Sequence, residues 1–244
     1  MLASRSRFSR NDKPFSLSDR AYLLIRSRIL KGELSPGASL SRRRLAKELQ
    51  MSLLPVAEAL QRLEGEGLVE SRPRVGTRVC LPTPQDIREH YQVREALESQ
   101  AARLFAEKAT AEEKREVGQM AERMDEMFER CSVLGTAEIP PDFLYEVHDY
   151  HVQLHLRIAE CTGCRALCQT IERNHVLVFN WLYDVAARRP SLPARFHRDL
   201  IAAISTGDPE EADRAMRQHV RYGLDNVLRG IAGLDVNPRP VGSR

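Results

Sequence analysis

Apolar positions along this chain fall at helical spacing almost throughout. Leu17 to Lys31 keeps Tyr22, Ile25 and Ile29 on one stripe, with Ser18 as its expected N-cap, and Gly32 ends it ahead of a Ser35–Pro36–Gly37 turn. Leu45, Ala46 and Leu49, then Leu60 and Leu63, give two short helices one apolar face each. Ser52 is the expected N-cap of the second, Pro55 sits in its first turn where a missing N–H does no harm, and Gly65 and Gly67 close it. The period then changes. Leu68–Val69–Glu70 starts a strand, Pro73 to Gly76 turns, and Thr77–Arg78–Val79 returns. Two prolines in Leu81–Pro82–Thr83–Pro84 break that strand. Beyond them the pattern is helical only, with helices expected over 84–108, 110–131, 141–161, 164–187, 192–206 and 208–231. Thr110 with Glu113, and more weakly Thr83 with Asp86, have capping-box spacing, and Gly207–Asp208–Pro209 is a stop and restart.

The expected fold class is mainly α: an N-terminal winged helix-turn-helix followed by an all-helical bundle. The division is a flexible basic arm over 1–15, a winged unit over 16–80, a linker over 81–84, a helical domain over 85–232 and a disordered tail over 233–244. Charge sharpens this division. Net charge is only +3, but residues 1 to 80 hold 16 Lys and Arg against 8 Asp and Glu, while the remainder holds 21 against 26. A basic third on a mildly acidic body points to one nucleic-acid-binding domain and a second domain with another task. No run of about 18 apolar residues exists, so no membrane helix is expected. Met1 to Asn11 lacks the apolar segment of a secretory signal, and a cytoplasmic location is expected. Five Cys without an export signal argue against structural disulfides.

The blocks LKGELSPG, LAKEL, SLLPVAEALQRLEGEGLV and RVGTRV occur in order over Ala21 to Val79, and they resemble the DNA-binding domain of the GntR family of bacterial transcription regulators. The resemblance implies a two-fold dimer on a palindromic duplex DNA operator. It assigns Arg42, Arg43, Arg44 and Lys47 to phosphates or guanine edges. It puts Ser52 and the helix start at Leu53, Leu54 and Pro55 against the major groove, and Arg72, Arg74, Gly76 and Arg78 along the minor groove. One departure concerns specificity. The family carries Arg after the N-cap Ser and again between Val56 and Glu58, whereas this chain has Leu53 and Ala57.

His151 and His155 lie four apart on one expected helix, while His197 and His219 belong to the last two. Spacing alone leaves two readings open: imidazoles converging on one metal, or separate hydrogen-bonded histidines. REALESQAARLFAE, HLRIAECTGC and FHRDLIAAISTGDPEEADRAMRQHV resemble the FCD ligand-binding domain of FadR-type members of the same family. Many such domains hold a divalent metal through one Asp and three His, and His155, His197 and His219 match the three His. His151 stands where the family has Asp, while Asp149 is off the required face. Imidazole for carboxylate favours Zn²⁺, or Ni²⁺, over Mn²⁺. The resemblance also implies a small carboxylate effector that completes the metal's coordination. Arg94, of the R-x-x-L-E motif, is the candidate carboxylate clamp, against a salt bridge with Glu98. Asn174 is a further effector candidate, with Asn180, Tyr145 and Arg173 as possible lining and His148 as an outer partner; His90 and His175 have no phase relation to the four.

The expectation is thus a ligand-responsive DNA-binding regulator, in the commoner arrangement a repressor, and not an enzyme. Two rivals are a thiol-based redox regulator using Cys161 and Cys164, and a metal-dependent enzyme built on the helical domain. A lone CxxC at a helix break is weak support for the first. No HExxH, G-x-S-x-G, Walker A or G-x-G-x-x-G motif supports the second.

Overall fold

The computed structural model describes residues 16–72, 76–81, 83–134, 139–174 and 192–232. The expected arm and tail, Arg74 and Asn180 lie outside these residues, as do His175 and the rest of the helix expected to run to 187. The element order is α1 (Leu17–Leu30), β1 (Ser39–Leu40), α2 (Arg42–Glu48), α3 (Leu53–Gly65), β2 (Val69–Arg72) and β3 (Gly76–Val79), then α4 (Pro84–Lys108), α5 (Ala111–Leu134) and α6 (Pro141–Cys161). A helical stretch, α7, covers 165–174. α8 (Phe196–Ile204) and α9 (Pro209–Ala232) complete the chain.

The first six elements share one core of Ala21, Ile25, Ile29, Leu45, Val56, Ala59, Leu60, Leu63, Leu68, Val69 and Val79. α1 is capped by Ser16 and not by Ser18: the Ser16 hydroxyl accepts from the Asp19 N–H, and the Asp19 carboxylate accepts from the Ser16 N–H in return. Gln50 takes a left-handed φ of 53° and turns the chain from α2 into α3. Ser52 stands at the N-cap of α3, but its side chain makes no capping hydrogen bond. A third strand, absent from the sequence reading, joins the hairpin. β3 lies between β1 and β2, with Ser39 opposite Arg78 and Val69 opposite Val79. Two residues are too short to show alternation, which is why β1 escaped notice.

The remaining helices close over a second core that includes Tyr91, Phe105, Val117, Met124, Leu154, Ile158, Ile204, Met216 and Val220. Both capping boxes are complete, at Thr83 with Asp86 and at Thr110 with Glu113. α8 starts at Phe196 and not at 192, because Pro193 precedes it and Arg195 adopts a left-handed φ of 62°. Lys114 Nζ donates to the Ala106 and Ser205 carbonyls, 3.2 Å each, and so ties the end of α4 to the end of α8. α4 and α9 pack along their length, with Tyr91 against Gly223, where an added Cβ would stand 3.5 Å from the ring. Head and body touch where Lys31 Nζ lies 5.5 Å above the Tyr145 ring and the Arg26 charge acts on half-buried Asp149. No helix among the described residues is long and apolar enough to cross a membrane.

Glu95 on α4 accepts from both Arg217 and Arg221 on α9, at 2.8–3.0 Å. The Arg221 hydrogen bonds, reinforced by Arg217, outweigh burial and hold its carboxyl below the ordinary 4.5. A depressed carboxyl pKa stabilises the fold above the unfolded value, and that stability is lost as pH falls through 4.5 and below. Urea denaturation should therefore show Glu95→Gln less stable than wild type by about 1 kcal/mol at pH 7, given the exposure of the arginines. The gap should narrow as pH falls below 4.5, whereas a gap that stays constant with pH would remove Glu95 as its source.

Candidate metal centre and nucleic-acid interface

α6 carries His151 and His155 one turn apart, and their Nε2 atoms stand 3.2 Å from each other. α9 brings His219 alongside, and one nitrogen from each of the three lies within 4.8 Å of the other two. His197, at the start of α8, has its ring centroid 5.2 Å from that of His151 and 5.3 Å from that of His219. The bundle thus gathers all four histidines singled out in the sequence. Asp149 is not among them, and half-buried Tyr145 faces α1.

Two of the four rings are oriented by carboxylates that spacing did not reveal. His155 Nδ1 lies 2.6 Å from Glu98, and His197 Nδ1 lies 2.8 Å from Asp125. Asp125, on α5, also accepts the backbone N–H groups of His197 and Arg198. Burial would push its carboxyl up, but the His197 and Arg198 donors reverse that and hold it below the ordinary range. A carboxylate on Nδ1 fixes the tautomer that leaves Nε2 as the ligand atom. The signal was present: Glu98 follows Arg94 by one turn in the R-x-x-L-E motif. Asp125 had no such marker.

Burial, with neighbouring His155 and His197 adding to it, lowers the pKa of both His151 and His219 well below the ordinary value. Both imidazoles are neutral at pH 7, the form that ligates a metal. Tetrahedral Zn²⁺ with bonds of about 2.0 Å separates its ligand nitrogens by roughly 3.3 Å, close to the His151–His155 spacing. The donor set therefore fits a divalent transition metal. His219 Nδ1 is buried and has no partner among the described residues, and neither has Asn174 Oδ1 on α7. Arg94 is 3% exposed and directs its Nε at Glu98 within α4. Arg173 is exposed, whereas His148 is buried.

Two of the three neighbouring thiols are poorly placed for redox chemistry. Cys161 is fully buried, and burial pushes Cys168 up to about 11, opposite to what a reactive thiol requires.

The second site is the outer face of the head. Arg42, Arg43, Arg44 and Lys47 are all exposed on α2. Arg44 pairs with Glu48 at 2.7 Å, and Arg72 and Arg78 both pair with Glu70 on the wing. A shallow groove bounded by Leu40, Arg42, Arg72, Gly76 and Thr77 runs between α2 and the wing. At the start of α3, Leu53 and Leu54 are exposed while Pro55 is buried.

Comparison with known proteins agrees with this arrangement. Residues 17–79 match the family of bacterial regulatory proteins of the gntR family, and residues 89–222 match the FCD domain. The chain is 25% identical over 215 residues to the HTH-type transcriptional repressor RspR of Escherichia coli K12, covering 86% of this chain and 89% of that one. It is 24% identical over 221 residues to the HTH-type regulator YdhC of Bacillus subtilis 168, covering 88% and 93%. E. coli McbR/YncC shares the fold with a TM-score of 0.71 at 22% identity, over 89% of this chain and all of that one. A GntR regulator from Rhodococcus sp. RHA1 has the same TM-score at 21% identity, over 88% and 99%. The chain belongs to the GntR family of DNA-binding transcription regulators, with a gntR-type helix-turn-helix head and an FCD body.

Proposed function

We propose that this regulator is a two-fold dimer that represses from a palindromic operator and responds to a small carboxylate through a metal held in its helical body. The metal is Zn²⁺ or Ni²⁺, bound by His151, His155, His219 and His197. The observation that carries this reading is the convergence of four imidazoles, two of them oriented by carboxylates. An all-nitrogen set suits these metals better than Mn²⁺. The bound metal supplies a Lewis-acid centre for an effector carboxylate. Arg94 adds positive charge beside it, though its Nε already serves Glu98. Asn174 offers a buried amide whose Oδ1 has no partner among the described residues. α6 links this site to the head: it holds His151 and His155 and, about two turns earlier, meets Lys31 of α1 through Tyr145. An effector that shifts α6 would alter the pose of the head, with a coupling of about 1–3 kcal/mol. The head approaches DNA with α2, α3 and the wing, using Arg42, Arg43, Lys47 and Ser52, with Arg72, Gly76 and Arg78 at the wing. Repression is the role by which the E. coli relative RspR is named.

Elemental analysis of purified protein should find about one metal per chain, lost in His155→Ala and His197→Ala. Metal-free protein with an intact fold would sink the proposal. The buried ion pair predicts a separate effect. Glu98→Ala leaves the Arg94 charge buried and unpaired, and should cost about 3–5 kcal/mol in chemical denaturation of metal-stripped protein. Arg94→Met with Glu98→Leu should recover most of that loss; a double change as unstable as Glu98→Ala would show that charge pairing is not its cause.

A further inference from the structure

The end of α3 that leads into the DNA is apolar, and this limits which base feature it can read. Pro55, Val56, Ala59, Leu60 and Leu63 bury one side of the helix. The opposite side of its first two turns exposes Leu53, Leu54 and Glu58, with Ala57 half-buried. Leu53 is 52% exposed and Leu54 67%, and neither belongs to a core cluster. The first cation on α3 is Arg62, but its guanidinium lies 3.6 Å above the Tyr22 ring, on the α1 side. These turns therefore present no amide or guanidinium to a base edge. Exposed cations flank the patch on α2 and the wing: Arg42, Arg43 and Lys47, then Arg72.

A basic rim around an apolar tip matches phosphates around the one apolar feature of the major-groove floor, the thymine C5-methyl. Resting on the family's DNA-binding role, we propose that Leu53 and Leu54, with Ala57, read thymine methyls, so that each half-site has A·T pairs where α3 meets it. Glu58, one turn on, acts against guanine, whose N7 and O6 are both acceptors.

The test uses the full-length protein and the duplex that it recovers from a random-sequence library at near-physiological salt. Binding is measured by fluorescence anisotropy on that duplex and on copies with uracil for thymine, which removes only the methyl. The expected result is A·T pairs at the α3 positions and a loss of about fourfold in affinity per methyl removed. Leu53→Ala and Leu54→Ala, both at exposed positions, should weaken binding to the thymine duplex and reduce its advantage over uracil. A recovered palindrome with guanine at these positions would overturn the thymine assignment alone. So would equal affinity for thymine and uracil, or a uracil penalty of unchanged size in the Leu53→Ala/Leu54→Ala protein. Recovery of no preferred sequence would overturn it together with sequence-specific reading by this head.

Discussion

A single buried carboxylate, Glu98, organises the centre of the body. It is 2% exposed, and one oxygen takes the Arg94 guanidinium while the other takes His155 Nδ1. Stripping water from three such groups is costly unless each compensates another. Here the arginine neutralises the carboxylate, and the carboxylate fixes the tautomer of the imidazole. His155 then directs Nε2 at His151. Asp125 does the same for His197 from α5, using two backbone donors and the half-exposed Arg198 guanidinium. The cluster is thus a set of imidazoles, two of which are held in place by carboxylates one layer out, and losing either carboxylate would release a ring before it removed a ligand.

The same helix that presents these rings also reaches the head. Along α6, Tyr145 precedes His151 by six residues, about 9 Å of axial rise. Lys31 sits above the Tyr145 ring, and Arg26 places its charge near Asp149. Among the described residues these contacts are polar and few, while each half has its own apolar core. Rigid halves joined by weak contacts are what a small coupling energy can reposition.

Much of this was legible in the sequence because helix periodicity, capping residues and prolines are local signals. α4 and α6 span the expected ranges, and four histidines on three helices converge as their spacing allowed. What escaped depended on packing or on length. β1 has two residues, Ser16 displaced Ser18 as the cap because only Ser16 can exchange hydrogen bonds with Asp19, and α8 begins late because of Arg195. Asp125 was invisible because a carboxylate on an amphipathic helix looks solvated until another helix covers it. Arg94 read equally well as a clamp or as an ion-pair partner, and only burial showed its Nε engaged by Glu98.

The charge of the head is less available than its composition suggests. Glu48 holds Arg28 and Arg44, each at 2.7 Å, and Glu70 holds Arg72 and Arg78. Arg62 is drawn to Asp19 and the Tyr22 ring. Among the described residues of the DNA-facing side, Arg42, Arg43 and Lys47 have no acidic partner in the unbound state. Such surface pairs are weak and exchange readily for phosphate. Glu48 and Glu70 therefore act as guides. They hold Arg44 of α2 and Arg72 and Arg78 of the wing and damp the long-range field. Non-specific attraction falls with that field. A larger share of discrimination then rests on contacts to the base edges, which under the proposed reading come, at the start of α3, from two leucines and an alanine.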